Sequence, residues 1–114
     1  SSTAENEDFV IFGELPDDWP ASVVIMDGLK LSHSNYMDGG KMIIASASGI
    51  MDPAKIMDFY TNLDGWEKDY TGPWITTEDF IEGSMVDESG NKLSIVIHVD
   101  NIESSLMLMY KIPE

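Results

Sequence analysis

The sequence predicts an α+β fold: an antiparallel β-sheet of about five to seven strands with one main α-helix, over about 52–65, packed on one face. Three observations predict it. Only Asp52 to Trp66 repeats its apolar residues at helical spacing. The runs on either side read as strands joined by short turn signals. Helices of a parallel α/β fold would alternate with strands, and these do not, so an antiparallel meander follows.

In chain order, Ser1 to Asp8 is small, polar and acidic and is expected to be a disordered lead-in to a single domain over 9–114. Phe9 to Phe12 is a short apolar run expected to tuck onto the core. Leu15-Pro16-Asp17-Asp18-Trp19-Pro20 holds two prolines four apart, which keep it extended or turning. Trp19 reads first as an anchor that pins the lead-in across the domain, and second as a stacking surface. Ser22 to Met26 is a β-rich run, stopped by the turn signal Asp27-Gly28. Leu29 to Tyr36 alternates, with Leu29, Leu31 and His33 on one face. Asp38-Gly39-Gly40 turns the chain into a partner strand, Lys41 to Ser48, whose small residues Ala45 to Gly49 are expected to let the helix lie close.

The helix opens on Asp52 as N-cap, with Pro53 at the first position, where its missing N–H is no loss. Ile56, Met57, Tyr60 and Leu63 recur at helical spacing, and Asp64-Gly65 is expected to end it. Trp66 to Tyr70 alternates again, and Thr71-Gly72-Pro73 loops. Trp74 to Thr77 and Phe80 to Val86 are strand pieces around Glu78-Asp79, and 87–91 makes a hairpin loop. Leu93, Ile95, Ile97 and Val99 form the clearest alternation in the chain. After a turn over 100–105, Leu106, Leu108 and Tyr110 share one face of a last strand, with Met107 and Met109 on the other.

Composition narrows the function. Of 114 residues, 43% are hydrophobic and 10% aromatic, which suits a globular chain. There are 21 Asp and Glu against six Lys, a formal net charge of −15. Such a surface repels nucleic-acid phosphates and anionic membranes. The same charge fits adaptation to salt, an exported domain's surface, or a face for a basic partner. No apolar run is long enough for a transmembrane helix. The absence of cysteine excludes disulfides, thiolate metal sites and cysteine nucleophiles. The chain starts on Ser1 without a methionine, which reads as a processed start with a lipid tether upstream.

Two stretches carry a resemblance. Leu15-Pro16-Asp17-Asp18-Trp19-Pro20, before a run ending in Asp27-Gly28, is similar to the "LP-x-x-x-P…G" opening of certain small bacterial extracytoplasmic domains, often lipoproteins. Phe59-Tyr60-x-x-Leu63-Asp64-Gly65-Trp66 resembles their "FY…L…GW" helix exit. The resemblance implies a sheet with one helix and an address in the periplasm or cell envelope. It brings no catalytic residues.

No reactive constellation stands out. Ser89-Gly90-Asn91-Lys92 matches Ser-x-x-Lys but lies in a hairpin loop instead of at a helix start. Ser46-Ala47-Ser48-Gly49 lacks the first glycine of a nucleophile elbow, and Gly39-Gly40-Lys41 lacks a phosphate-loop frame. Asp87 to His98 has the length of an EF-hand loop with the wrong residues at positions three and twelve. His33 and His98 are the two imidazoles, too few for a three-histidine zinc site. We therefore expect no catalytic, cofactor-binding or metal residues. The expected role is a non-enzymatic exported domain that binds a protein, peptide or envelope component. Trp74, Trp19, Tyr70 and His98 are its candidate ligand or partner surface. Three alternatives stand beside it: a small-ligand domain with an apolar pocket between helix and sheet, near Ala45, Ala47, Met57 and Trp74; an enzyme using His33 or His98 with a carboxylate, which needs the imidazoles to converge in a cleft; and an acidic mimic or inhibitor of a basic protein.

Overall fold

The computed structural model describes residues 10–72 and 74–113; the expected lead-in over 1–8 lies outside them, as does Phe9. Among the described residues, eight strands form one fully antiparallel sheet: β1 (Val10–Phe12), β2 (Lys30–Met37), β3 (Met42–Gly49), β4 (Trp66–Lys68), β5 (Ile75–Thr76), β6 (Phe80–Asp87), β7 (Lys92–Asp100) and β8 (Glu103–Lys111). The spatial order is β1-β2-β3-β8-β7-β6-β4, with β5 also on β6. The count exceeds the expected range because the last edge strand is split. β4 pairs with β6 at Met85 to Asp87 and β5 pairs with it at Ile81 and Glu82; between them Asp69 still donates its N–H to the Ser84 carbonyl at 2.9 Å, and the chain then leaves the sheet as an excursion over 70–72.

The one α-helix among the described residues, α1 (Pro53–Thr61), packs against β7, β6 and β4. The Asp52 carboxylate accepts from the Ala54 N–H at 3.0 Å, and Pro53 holds the first turn. Ile56 and Tyr60, one turn apart, are fully buried. The helix ends four residues before Gly65. Asn62 departs from helical geometry and its amide donates to the Asp58 carbonyl at 2.7 Å, so a side chain takes over an orphan acceptor of the last turn.

The helix covers only half of one sheet face. The other half lies under the crossing segment 14–29, which is not a strand. Ser22 to Met26 has strand-like composition, yet its backbone is tied to a side chain: the Tyr60 hydroxyl donates to the Val24 carbonyl at 2.8 Å and accepts from the Met26 N–H at 2.9 Å. Buried backbone groups need partners, and a tyrosine supplies here what a neighbouring strand would otherwise supply. Trp19 is buried, with Nε1 donating to the Val23 carbonyl at 2.6 Å and its ring 6.0 Å from that of Tyr110. Trp66 meets Tyr110 edge-on from the helix side at 6.3 Å and donates to Ser22 Oγ at 2.9 Å. Tyr110 thus joins the two halves of the cover. Leu93, Ile95, Ile97, Leu106 and Leu108 form the buried floor beneath both.

Small residues on β3 do allow a close approach, but at Gly49 the neighbour is the crossing segment. A Cβ on Gly49 would come within 2.6 Å of the Gly28 carbonyl oxygen. The helix-side counterpart is Gly83 on β6, where a Cβ would meet the Trp74 ring at 2.5 Å and the Met57 methyl at 2.7 Å.

Candidate functional site

Among the described residues, the helix and the crossing segment cover one side of the sheet; on the opposite side residues 69–72 pack against Ser84 of β6, and the face over β2, β3, β8 and β7 is open. Its residues follow from the register. On β3, β8 and β7 the outward positions include Ile44, Ser46, Met109, Met107, Val96 and His98, while their sequence neighbours Ile43, Ala45, Leu108, Leu106, Ile97 and Ile95 are buried. Met107 is 40% exposed against 2% for Leu106, which fixes the direction of the last strand.

A bulge redraws the edge of this face. Leu31 pairs with Ala47 and His33 with Ser46, so two residues of β2 separate positions that differ by one on β3. After the bulge the phase is inverted. Leu31 points to the core, but His33 moves to the open face with Phe12, whose ring lies 6.4 Å away. Leu29, Leu31 and His33 therefore do not share a face. Ser34 takes the inward position instead, fully buried, and donates to the Glu14 carbonyl at 2.7 Å. Phe12 is 79% exposed and does not tuck onto the core.

The centre of the open face is free of formal charge. Residues 31–37, 42–49, 94–98 and 105–109 contain no Asp, Glu or Lys, although 24% of the chain is charged. Lys30, Lys92, Lys111, Asp100 and Glu103 sit at the strand ends, and Glu82 on β6, paired with Val96, puts one carboxylate on the same face beside the centre. Four of the eight methionines (Met37, Met42, Met107 and Met109) have outward positions here. Between them is a shallow hollow of about 220 Å³, floored by Ser46, Ser48 and Ser105 and walled by Val96, Met107 and His98.

His98 is exposed on this face, where its strand places it opposite Ser105 and Phe80. His33 and His98 are three strand spacings apart, roughly 14 Å, so they do not meet as a catalytic or ligating pair. Among the described residues no three His, Asp or Glu side chains are placed to hold a metal ion.

The other surface candidates go elsewhere. Trp19 is core, since its ring fills the space beside Tyr110. Trp74 is half-buried: its ring lies on Gly83 with Met57, Nε1 donates to the Asp69 carbonyl at 3.0 Å, and Lys68 Nζ stands 5.1 Å from the ring centre. The space between α1, the sheet and Trp74 is thus occupied by Trp74 and Met57 themselves. Tyr70 is 80% exposed at the tip of the excursion. Asp69 anchors that excursion by accepting from the Thr71 hydroxyl and the Thr71 N–H, with Lys92 Nζ at 3.7 Å. These bonds to Thr71, with the nearby ammonium, hold its carboxyl below the ordinary 3.8. Lys92 therefore faces Asp69 from the strand.

A second concavity of about 500 Å³ lies at the exit of α1, lined by Asn62, Asp64, Glu67, Asp87 and Glu88 among others. The Asp87 carboxylate is committed to its own hairpin, accepting from the Ser89 and Asn91 N–H groups.

Comparison with protein-family models, with curated proteins and with solved structures gives no match. Among the described residues, no helix is long and apolar enough to cross a membrane.

Proposed function

We propose that this chain is a non-enzymatic binding domain that engages a protein or other envelope component through the open face of its sheet. One observation carries the reading: the centre of that face lacks charge in a chain of net charge −15. The cores of protein interfaces are depleted of charged side chains and enriched in methionine and aromatic residues. Here Met107, Met109, Ile44 and Val96 supply adaptable apolar contact, and the serines and His98 supply hydrogen-bonding groups between them. The proposed address, exported and held at the cell envelope by an upstream lipid tether, rests on the resemblance of the 15–28 and 59–66 stretches to extracytoplasmic domains.

The test is capture from envelope extract by immobilised chain, comparing wild type with Ser46→Lys on the open face and Asp64→Lys at the helix exit. We expect a partner that wild type and Asp64→Lys retain and Ser46→Lys loses. Capture indifferent to Ser46→Lys would refute the open face as the binding surface.

A second reading, an acidic mimic or inhibitor of a basic protein, is favoured by the acid-lined cleft at the exit of α1. It predicts the reverse pattern: loss with Asp64→Lys, and loss for wild type in about 0.5 M salt, where screening removes long-range attraction.

A further inference from the structure

We propose that a pocket on the covered side, at the β2–β3 hairpin end, binds a small organic cation: an ammonium group on a short apolar body. The pocket lies across the sheet from the open face and is independent of any partner bound there. It is a hollow of about 260 Å³ lined by Asp18, Gly40, Lys41, Ile43, Tyr110 and Ile112.

The register explains why a hollow forms. Tyr36, Ile43 and Tyr110 are partners across β2, β3 and β8, with their side chains on the inner face. Two large rings flank a shorter aliphatic side chain, so the row dips at Ile43. Gly40 keeps the mouth clear, since a Cβ there would meet nothing within 4 Å. Ile112 is fixed by its N–H, which donates to the Lys41 carbonyl at 3.1 Å, yet its side chain is 40% exposed. Apolar surface thus remains for a ligand to cover.

Asp18 supplies the polar end. Its Oδ2 accepts from the Tyr36 hydroxyl at 3.2 Å. The one ion pair among the described residues joins Lys92 to Asp69, so no lysine there neutralises Asp18. The remaining lone pairs of the carboxylate are available to an ammonium, which would bind by charge-assisted hydrogen bonds. The local field has the same sign: burial first, then Asp18 and Asp17, raise the Tyr36 hydroxyl above its ordinary 10.0. At longer range a chain of net charge −15 draws cations and repels anions. Lys41 lines the pocket as well, but its side chain is exposed, and a long stem lets such a head group stay in water.

An apolar floor with a few fixed polar groups is the usual build of a small-molecule site. This one falls below the roughly 300 Å³ at which drug-sized sites begin, so the ligand is a small amine. One partly exposed charge contact makes the binding weak.

Backbone-amide NMR of the whole chain, titrated with phenethylammonium, phenethyl alcohol and phenylpropionate, tests this, because the three share an aryl body and differ in charge. We expect phenethylammonium to move the amides of Gly40, Ile43 and Ile112 with a Kd on the order of 1 mM. The alcohol should bind about tenfold more weakly, and phenylpropionate should leave these amides in place. Asp18→Asn should reduce phenethylammonium to the level of the alcohol, whereas Asp64→Asn, at the helix exit, should follow wild type. Ammonium chloride alone should not move these amides, since it has no body to cover Ile43 and Ile112. Equal affinity for the alcohol and the amine overturns the proposal, as does an unchanged response in Asp18→Asn. Amide shifts that avoid the hairpin corner, or that ammonium chloride reproduces, overturn it too.

Discussion

The two faces of one sheet are built from alternate residues of the same strands, and they differ in almost every physical respect. The inner face is aliphatic and sealed twice, by a nine-residue helix and by a crossing segment held through indole and phenol hydrogen bonds. The outer face mixes methionine, serine and histidine, has no charge at its centre and, over β2, β3, β8 and β7, has none of the described residues on it. An inner position is defined by what packs on it. An outer position of this kind, apolar but uncovered, is better explained by something that arrives later. That contrast assigns stability to one face and binding to the other, and each substitution below probes one side of it.

The largest effect should come from Trp19→Ala. It removes a buried ring and its bond to Val23, so half the cover loses its anchor, and we expect a loss of about 3–5 kcal/mol in urea unfolding. Tyr60→Phe should cost about 1–3 kcal/mol by leaving the Met26 N–H and the Val24 carbonyl unpaired. It also has a pH signature. Burial pushes the Tyr60 hydroxyl from 10.0 up to about 12. The unfolded chain loses this proton from pH 10 upward, whereas the folded chain keeps it. Stability is therefore complete below pH 10 and is lost as the pH climbs toward 12, by on the order of 2–3 kcal/mol. The difference between wild type and Tyr60→Phe should shrink over that interval, as followed by denaturant titration at each pH. On the open face, Met107→Ala should move stability by no more than about 0.5 kcal/mol, within the range of ordinary surface changes. A cost as large as that of Tyr60→Phe would mean that the outer face is not spare surface.

Much of this division is legible in the sequence, and the misses have physical causes. The alternation of Leu93, Ile95 and Ile97 and of Leu106, Leu108 and Tyr110 places the core floor, because a two-residue period with one apolar phase has one inward solution. Asp52-Pro53 marks the helix start through local chemistry alone. The helix end is not where glycine suggests, since Asn62 reaches back to Asp58 first. Ser22 to Met26 has the composition of a strand, and only the Tyr60 hydroxyl, 34 and 36 residues away, shows why it needs no strand partner. His33 changes face through one extra residue in β2, a register event with no sequence signal of its own. The candidate site was the least legible. His98 lies on the open face and Tyr70 is exposed on the excursion beside it; Trp74 is half-buried, and Trp19 went to the core because its indole found a backbone carbonyl. The neutral centre is assembled from four separate strands, and its lack of charge becomes a surface property only once β3 and β8 are neighbours.

Peroxide oxidation of the methionines, followed by peptide mass spectrometry on the folded chain in dilute buffer, tests the two-faced account most directly. Met107 is 40% exposed and Met37 36%, while Met85, beneath the cover, is fully buried. The account predicts that Met107 and Met37 are oxidised early and that Met85 reacts only as the chain unfolds. Oxidation of Met85 at the rate of Met107 would show that the cover does not seal the inner face. Protection of Met107 equal to that of Met85 would show that the outer face is not open.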